Sequence, residues 1–131
     1  MSITMMLRDE SVEGKTMREW SLDFLTERIT VRELIRSRVY QEVQDYNTRQ
    51  PEVFQGLIQP TDAERTLNGF RMKERRQIDW KPQYEKACEA FETGHVLILL
   101  GDHQCEALEE EIEVKAHAVV SFLKLTPLVG G

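Results

Sequence analysis

Val120-Ser121-Phe122-Leu123-Lys124-Leu125-Thr126-Pro127-Leu128-Val129-Gly130-Gly131 joins an apolar strand to a diglycine. Residues 119–125 read as a strand, and Pro127, which has no N–H to donate, prevents regular pairing soon after it. The remainder, 126–131, reads as a flexible tail. Two glycines in that position need a physical reason. Glycine carries no side chain, so the backbone and the carboxylate of Gly131 can enter a narrow channel. A side chain beside the last carbonyl would block that approach. An enzyme that activates a carboxylate with ATP needs such access, because the carboxylate must attack the nucleotide to become an acyl adenylate. A thiol, an amine or a sulfide can then capture the adenylate. Alone, a terminal Gly-Gly is a weak signal, since loose tails are often glycine-rich. Its meaning depends on what precedes it.

Upstream, Val96-Leu97-Ile98-Leu99-Leu100 is short, continuous and apolar, as in a strand covered on both faces. Gly101-Asp102 turns the chain, and Leu108 to Val114 is acidic and irregular. At the other end, Ile3, Met5 and Leu7 alternate with Thr4, Met6 and Arg8. Asp9 to Lys15 contains Gly14 and reads as a turn. Met17 to Leu22, with Trp20 and Leu22 facing inward, completes an N-terminal hairpin. A helix follows over 31–47. Thr30 and Glu33 have capping-box spacing, and Leu34, Ile35, Val39, Val43 and Tyr46 form its apolar face. Arg32, Arg36, Glu42 and Asp45 are expected off that face.

Between helix and late strands lies a less regular stretch, about 48–94. Pro51, Gly56 and Pro60 mark a loop. Thr61 and Glu64 repeat the capping-box spacing, which predicts a short helix closed by Asn68-Gly69. Asp79 can cap a further helix with Pro82 in its first turn and Gly94 past its end. Tyr84, Ala87, Cys88 and Phe91 supply its apolar stripe.

The order of hairpin, capped helix, late strands and diglycine tail resembles the ubiquitin-like β-grasp superfamily. The ending 120–131 is especially similar to the prokaryotic sulfur-carrier branch, the small subunit of molybdopterin synthase and the thiamine-pathway sulfur carrier. Leu99-Leu100-Gly101-Asp102-His103-Gln104 resembles the short strand and turn before that ending, and Thr30 to Asn47 the main helix. Residues 1–47 and 95–131 are covered. The resemblance implies one α+β domain over 1–131, with a mixed sheet packed on one main helix and a helical insertion at about 48–94. It implies parallel pairing of the first and last strands, and burial of Leu34, Ile35, Val39 and Val43 against Ile3, Met5, Trp20, Phe122 and Leu123.

The resemblance also implies an adenylating activating enzyme as partner, with ATP consumed by that enzyme and no cofactor held by the chain. Gly131 would carry the reactive carboxylate, and Leu128, Val129 and Gly130 would thread the activating channel. Two outcomes follow from the same adenylate. A protein modifier would pass to lysines of target proteins, through a conjugating enzyme and subject to a deconjugating metalloprotease. A sulfur carrier would end as a C-terminal thiocarboxylate. The large insertion departs from the compact sulfur carriers, which favours the modifier. A third reading, from a different class, is a non-covalent interaction domain whose tail is incidental.

Composition narrows the field. The 131 residues suit one domain, and 40% hydrophobic content can support a core. The net charge of −6, from 17 basic and 23 acidic residues, disfavours bulk nucleic-acid binding. The longest apolar run, 96–100, falls far short of the roughly 20 residues that span a bilayer. The absence of a basic segment followed by a long apolar core at the N-terminus, together with only two cysteines, makes the reducing cytoplasm the expected compartment.

Other motifs carry less. Gly14-Lys15-Thr16 resembles the end of a phosphate loop, but the required earlier glycine falls on Asp9. Cys88, His95, His103, Cys105 and His117 lack paired zinc-ligand spacing, so no metal ligand is assigned and the cysteines are read as small buried residues. Arg71-Met72-Lys73-Glu74-Arg75-Arg76, flanked by Phe70 and Trp80, reads as a solvated basic face before it reads as a single-strand binder. Glu106, Glu109, Glu110, Glu111 and Glu113 lack the interleaved glycine of a hard-cation loop and read as solvated, or as a contact for a basic partner. No nucleophile–base arrangement is evident, so the chain reads as a substrate and carrier for enzymes rather than an enzyme itself.

Overall fold

A computed structural model describes residues 2–66, 69–74 and 76–125. The tail residues Leu128, Val129, Gly130 and Gly131, with Thr126, Pro127, Asn68 and Arg75, lie outside the described residues. The described chain is α+β. It divides into two compact units, one taken from Met1–Leu34 and Ala90–Thr126, the other formed by Ile35–Glu89.

The first unit begins with β1 (Ile3–Ser11) and β2 (Thr16–Phe24), an antiparallel hairpin. Gly14 takes φ +79° in its turn, a backbone conformation that costs glycine little. β3 (Arg28–Thr30) is a short strand running into α1 (Val31–Arg49). After the second unit come β6 (Val96–Leu100), β7 (His103–Gln104), β8 (Glu111–Glu113) and β9 (Val119–Lys124). The main sheet is mixed and five-stranded, in the order β2-β1-β9-β6-β7. The first and last strands pair in parallel, Met6 opposite Val119 through Ser11 opposite Lys124. β6 pairs antiparallel with β9 on its other side.

The register sorts side chains by the period of two. Met5, Leu7, Val120, Phe122, Val96 and Ile98 share one face and are buried. On the same face Asp9 is 3% exposed and pairs with Lys124, Nζ to Oδ2 3.6 Å. Leu97 and Leu99 point to the opposite face and are only half-buried. Continuous apolarity therefore overstated the covering of β6: Val96 and Ile98 on one face are buried, whereas Leu97, Leu99 and Leu100 are half-buried. Trp20 is also half-buried, with the Arg18 guanidinium 4.0 Å over its ring.

The acidic segment is more ordered than its composition indicates. Leu108, Ile112 and Val114 are buried at alternate or near-alternate positions, and Ile112 pairs with Ile29 in the β3–β8 ladder. This segment also completes the start of α1. The Val31 and Arg32 amides donate to the Glu110 and Leu108 carbonyls, both at 2.9 Å, and Arg32 bridges Glu109 at 2.8 Å. The irregular reading of 108–114 is corrected accordingly: Glu111–Glu113 is a strand with Ile112 in the core, while Glu106, Glu109, Glu111 and Glu113 are exposed, as the solvated reading expects, and Glu110 is half-buried.

In the second unit, α1 continues with buried Ile35, Val39, Val43 and Tyr46. The expectation that Glu42 lies off the buried face is wrong. Arg38 and Glu42 are both buried on it, held by a 2.6 Å contact from Nε to Oε1. The second Glu42 oxygen accepts the Leu57 N–H at 3.2 Å. A buried charge is tolerated where its partners are supplied in place.

The expected short helix at 61–68 is absent. Its residues enter an antiparallel hairpin, β4 (Ala63–Thr66) with β5 (Gly69–Met72). Asp62 has φ +58°, which an α-helical first turn cannot contain. Phe54 bridges Phe70 through reciprocal backbone hydrogen bonds of 2.7 and 2.9 Å. Gly69, at φ +153°, lies so close that a Cβ there would stand 2.6 Å from the Phe54 carbonyl oxygen. The helical description of the insertion is therefore half right. Its second expected helix is present as α2 (Trp80–Glu92), with Asp79 Oδ1 accepting the Lys81 N–H at 3.2 Å. Gly94, at φ +78°, follows its end, where the Gly94 N–H donates to the Phe91 carbonyl at 3.2 Å.

Candidate functional site

β9 leads toward the diglycine. Its last described bond runs from the Leu125 N–H to the His95 carbonyl, 3.0 Å. The residues singled out for activation, Leu128, Val129, Gly130 and Gly131, follow beyond the described residues. From Leu125 to Gly131 is six residues, which when fully extended span at most about 20 Å.

The described residues contain one group of side chains with metal-ligating chemistry that the linear spacing did not announce. His103 Nδ1 or Nε2, Cys105 Sγ and a Glu110 carboxylate oxygen all lie within 4.8 Å of one another. Their assembly is local. His103 stands on β7, and residues two apart on an extended chain face the same side. The Cys105 N–H donates to the Ile98 carbonyl at 2.9 Å, prolonging the β6–β7 pairing by one residue. The chain then turns over 106–110, where the Glu110 N–H donates to Ala107 O at 3.1 Å. This returns the Glu110 carboxylate toward β7. Its Oε1 accepts the Glu106 N–H at 2.8 Å, and its Oε2 lies 2.5 Å from His103 Nε2.

Electrostatics follow from this arrangement. The Glu106 backbone donor, then His103, hold the Glu110 carboxyl below its ordinary value. Burial, with the neighbouring Glu110 charge second, pushes the Cys105 thiol up to about 11. Cys105 is 3% exposed and His103 lies at the surface. A protonated, buried thiol is a poor nucleophile, so the group does not have the character of a cysteine catalytic site.

The other candidates are not brought together. Cys88 is a buried free cysteine on α2, and His95 bonds Thr93 at 2.9 Å between Oγ1 and Nδ1. Among the described residues, neither these nor His117 joins a metal-ligating group. In the basic stretch, Phe70 is buried, and Trp80 packs edge-on against Tyr40 with ring centroids 5.5 Å apart. Arg76 donates to the Thr61 carbonyl at 2.6 Å. The flanking aromatics thus serve packing rather than forming an open stacking platform. β8 was within reach of sequence reasoning, since Ile112 and Val114 alternate with Glu111 and Glu113 and signal a strand rather than a loop.

No protein-family model matches this sequence, and neither a curated protein nor a solved structure matches it.

Proposed function

We propose that the chain is a ubiquitin-like β-grasp modifier, activated at Gly131 by a partner enzyme and conjugated to lysines of target proteins. The observation that supports this reading is the parallel pairing of β1 with β9 inside a mixed sheet. A hairpin, a capped helix and a final strand beside the first strand are what the resemblance of 1–47 and 95–131 implies. In sequence, the last strand is the element that precedes the diglycine.

The chemistry requires a free Gly131 carboxylate, as the end of the chain or exposed by cleavage. The carboxylate attacks the α-phosphate of ATP, the bond to pyrophosphate breaks, and an acyl adenylate forms. An enzyme thiolate then displaces AMP to give a thioester. A lysine amine displaces the thiolate and leaves an isopeptide bond. Neither Gly130 nor Gly131 presents a Cβ to obstruct these attacks. The insertion at about 48–94 departs from the compact sulfur carriers, which favours conjugation over sulfur donation.

The test is mass spectrometry of denatured protein from the source cells expressing the chain with Gly131 last. Lysines of other proteins bearing a Gly-Gly remnant are the expected result. Deleting Gly130-Gly131, or adding one residue after Gly131, should abolish the conjugates while leaving the unfolding midpoint nearly unchanged. A thiocarboxylate with no conjugates would replace this reading by the sulfur carrier. An unmodified chain, or conjugates that survive both variants, would overturn it in favour of the interaction domain or another attachment point.

A further inference from the structure

We propose that His103, Cys105 and Glu110 form a zinc-binding site, with a water molecule as the fourth ligand. This inference stands apart from the diglycine chemistry and requires no activating enzyme.

The donor set selects the metal class. Sulfur, imidazole nitrogen and one carboxylate oxygen suit zinc, whereas calcium and magnesium take oxygen donors almost throughout. Typical zinc bonds of about 2.0–2.3 Å place tetrahedral ligand atoms about 3.4–3.6 Å from one another. The present separations run from 2.5 Å, between His103 and Glu110, to no more than 4.8 Å across the group. The His–Glu pair must therefore open by about 1 Å, and the widest separation must close by a similar amount. His103 can give most of this, because its side chain is 60% exposed and solvent leaves it room to move.

The remaining ligands are held in advance. Glu110 Oε1 is occupied by the Glu106 N–H, and the Ala107 backbone also bonds this carboxylate, so Oε2 is turned toward the group. Cys105 is fixed through its backbone bond to β6. Such outer contacts orient metal ligands and reduce the reorganisation that binding demands. The flanking Glu106 and Glu111 add negative potential favourable to a dication. On binding, the Cys105 thiol loses its proton to solvent, and two bonds to zinc replace the His103–Glu110 hydrogen bond.

The untagged chain, stripped with a chelator, should be titrated with zinc against a competing chromophoric chelator and separately with cobalt(II). One zinc per chain is expected, with a cobalt spectrum showing thiolate-to-metal charge transfer. Cys105→Ser should lose that band, and Cys88→Ser should keep it. His103→Gln should weaken zinc binding by at least about tenfold. Zinc should raise the thermal midpoint of the wild-type chain but not of Cys105→Ser. Stoichiometry near zero, or a thiolate band that survives Cys105→Ser, overturns the proposal. If Cys105→Ser does not fold, His103→Gln decides, since its altered side chain is largely exposed; unchanged zinc affinity would sink the site.

Discussion

Thr30-Val31-Arg32-Glu33 and Thr61-Asp62-Ala63-Glu64 carry the same capping-box spacing and meet different fates. In the first, the Glu33 N–H donates to Thr30 Oγ1 at 3.1 Å and the Thr30 N–H donates to Glu33 Oε1 at 3.4 Å. The box is closed, and α1 runs from it. In the second, Asp62 turns left-handed and its carbonyl accepts the Lys73 N–H at 3.0 Å, committing Ala63–Thr66 to a hairpin. A cap supplies two hydrogen bonds to a helix that other forces must already favour. Behind Glu33 lie Leu34, Ile35, Val39 and Val43, all buried. Behind Glu64, Arg65 and Thr66 pair with Phe70 and Gly69, while Phe54 offers Phe70 a further backbone partner.

The comparison breaks most severely at the buried pair on α1. Arg38→Met leaves the buried Glu42 carboxylate without its guanidinium and should cost about 3–5 kcal/mol in urea unfolding. Adding Glu42→Leu should restore much of that, less the orphaned Leu57 N–H. A single variant as stable as wild type would show that the helix does not depend on this pair. Next comes Gly69→Ala, which should destabilise by about 1–3 kcal/mol through positive φ and collision with Phe54. Urea unfolding at unchanged stability would mean that the hairpin can shift away from Phe54.

The two threonines give the direct contrast. Thr30→Ala removes a working cap, and its expected cost is about 1 kcal/mol. Thr61→Ala should change stability by no more than about 0.5 kcal/mol, because its side chain is exposed and caps no helix. Equal losses at the two positions, measured by the same denaturant titration, would erase the distinction drawn here.

Legibility followed the range of the interactions. β1, β2, β6, β9, α1 and α2 were readable because their alternation, helical spacing or caps lie within one element. β3 and β8 were missed because each has three residues and is defined by the other, some eighty positions away. Glu42 was misplaced for a related reason: charge alone predicts exposure, and only a partner such as Arg38 on the same stripe allows burial. His103, Cys105 and Glu110 carried no recognised spacing. A backbone reversal over 106–110 joins them, and composition marked that segment only as acidic.

By itself the sequence determined the α+β character, the N-terminal hairpin, both helices with their caps, and the strand that precedes Gly130-Gly131. Each rests on local periodicity, on glycine and proline geometry, or on hydrogen bonds between residues three or four apart. Only the tertiary structure decided that β3 pairs with β8, that Ala63–Thr66 and Gly69–Met72 form a hairpin, and that a thiol, an imidazole and a carboxylate converge. Those outcomes depend on hydrogen-bond partners and buried surfaces that distant segments supply, and no local pattern specifies which segment will supply them.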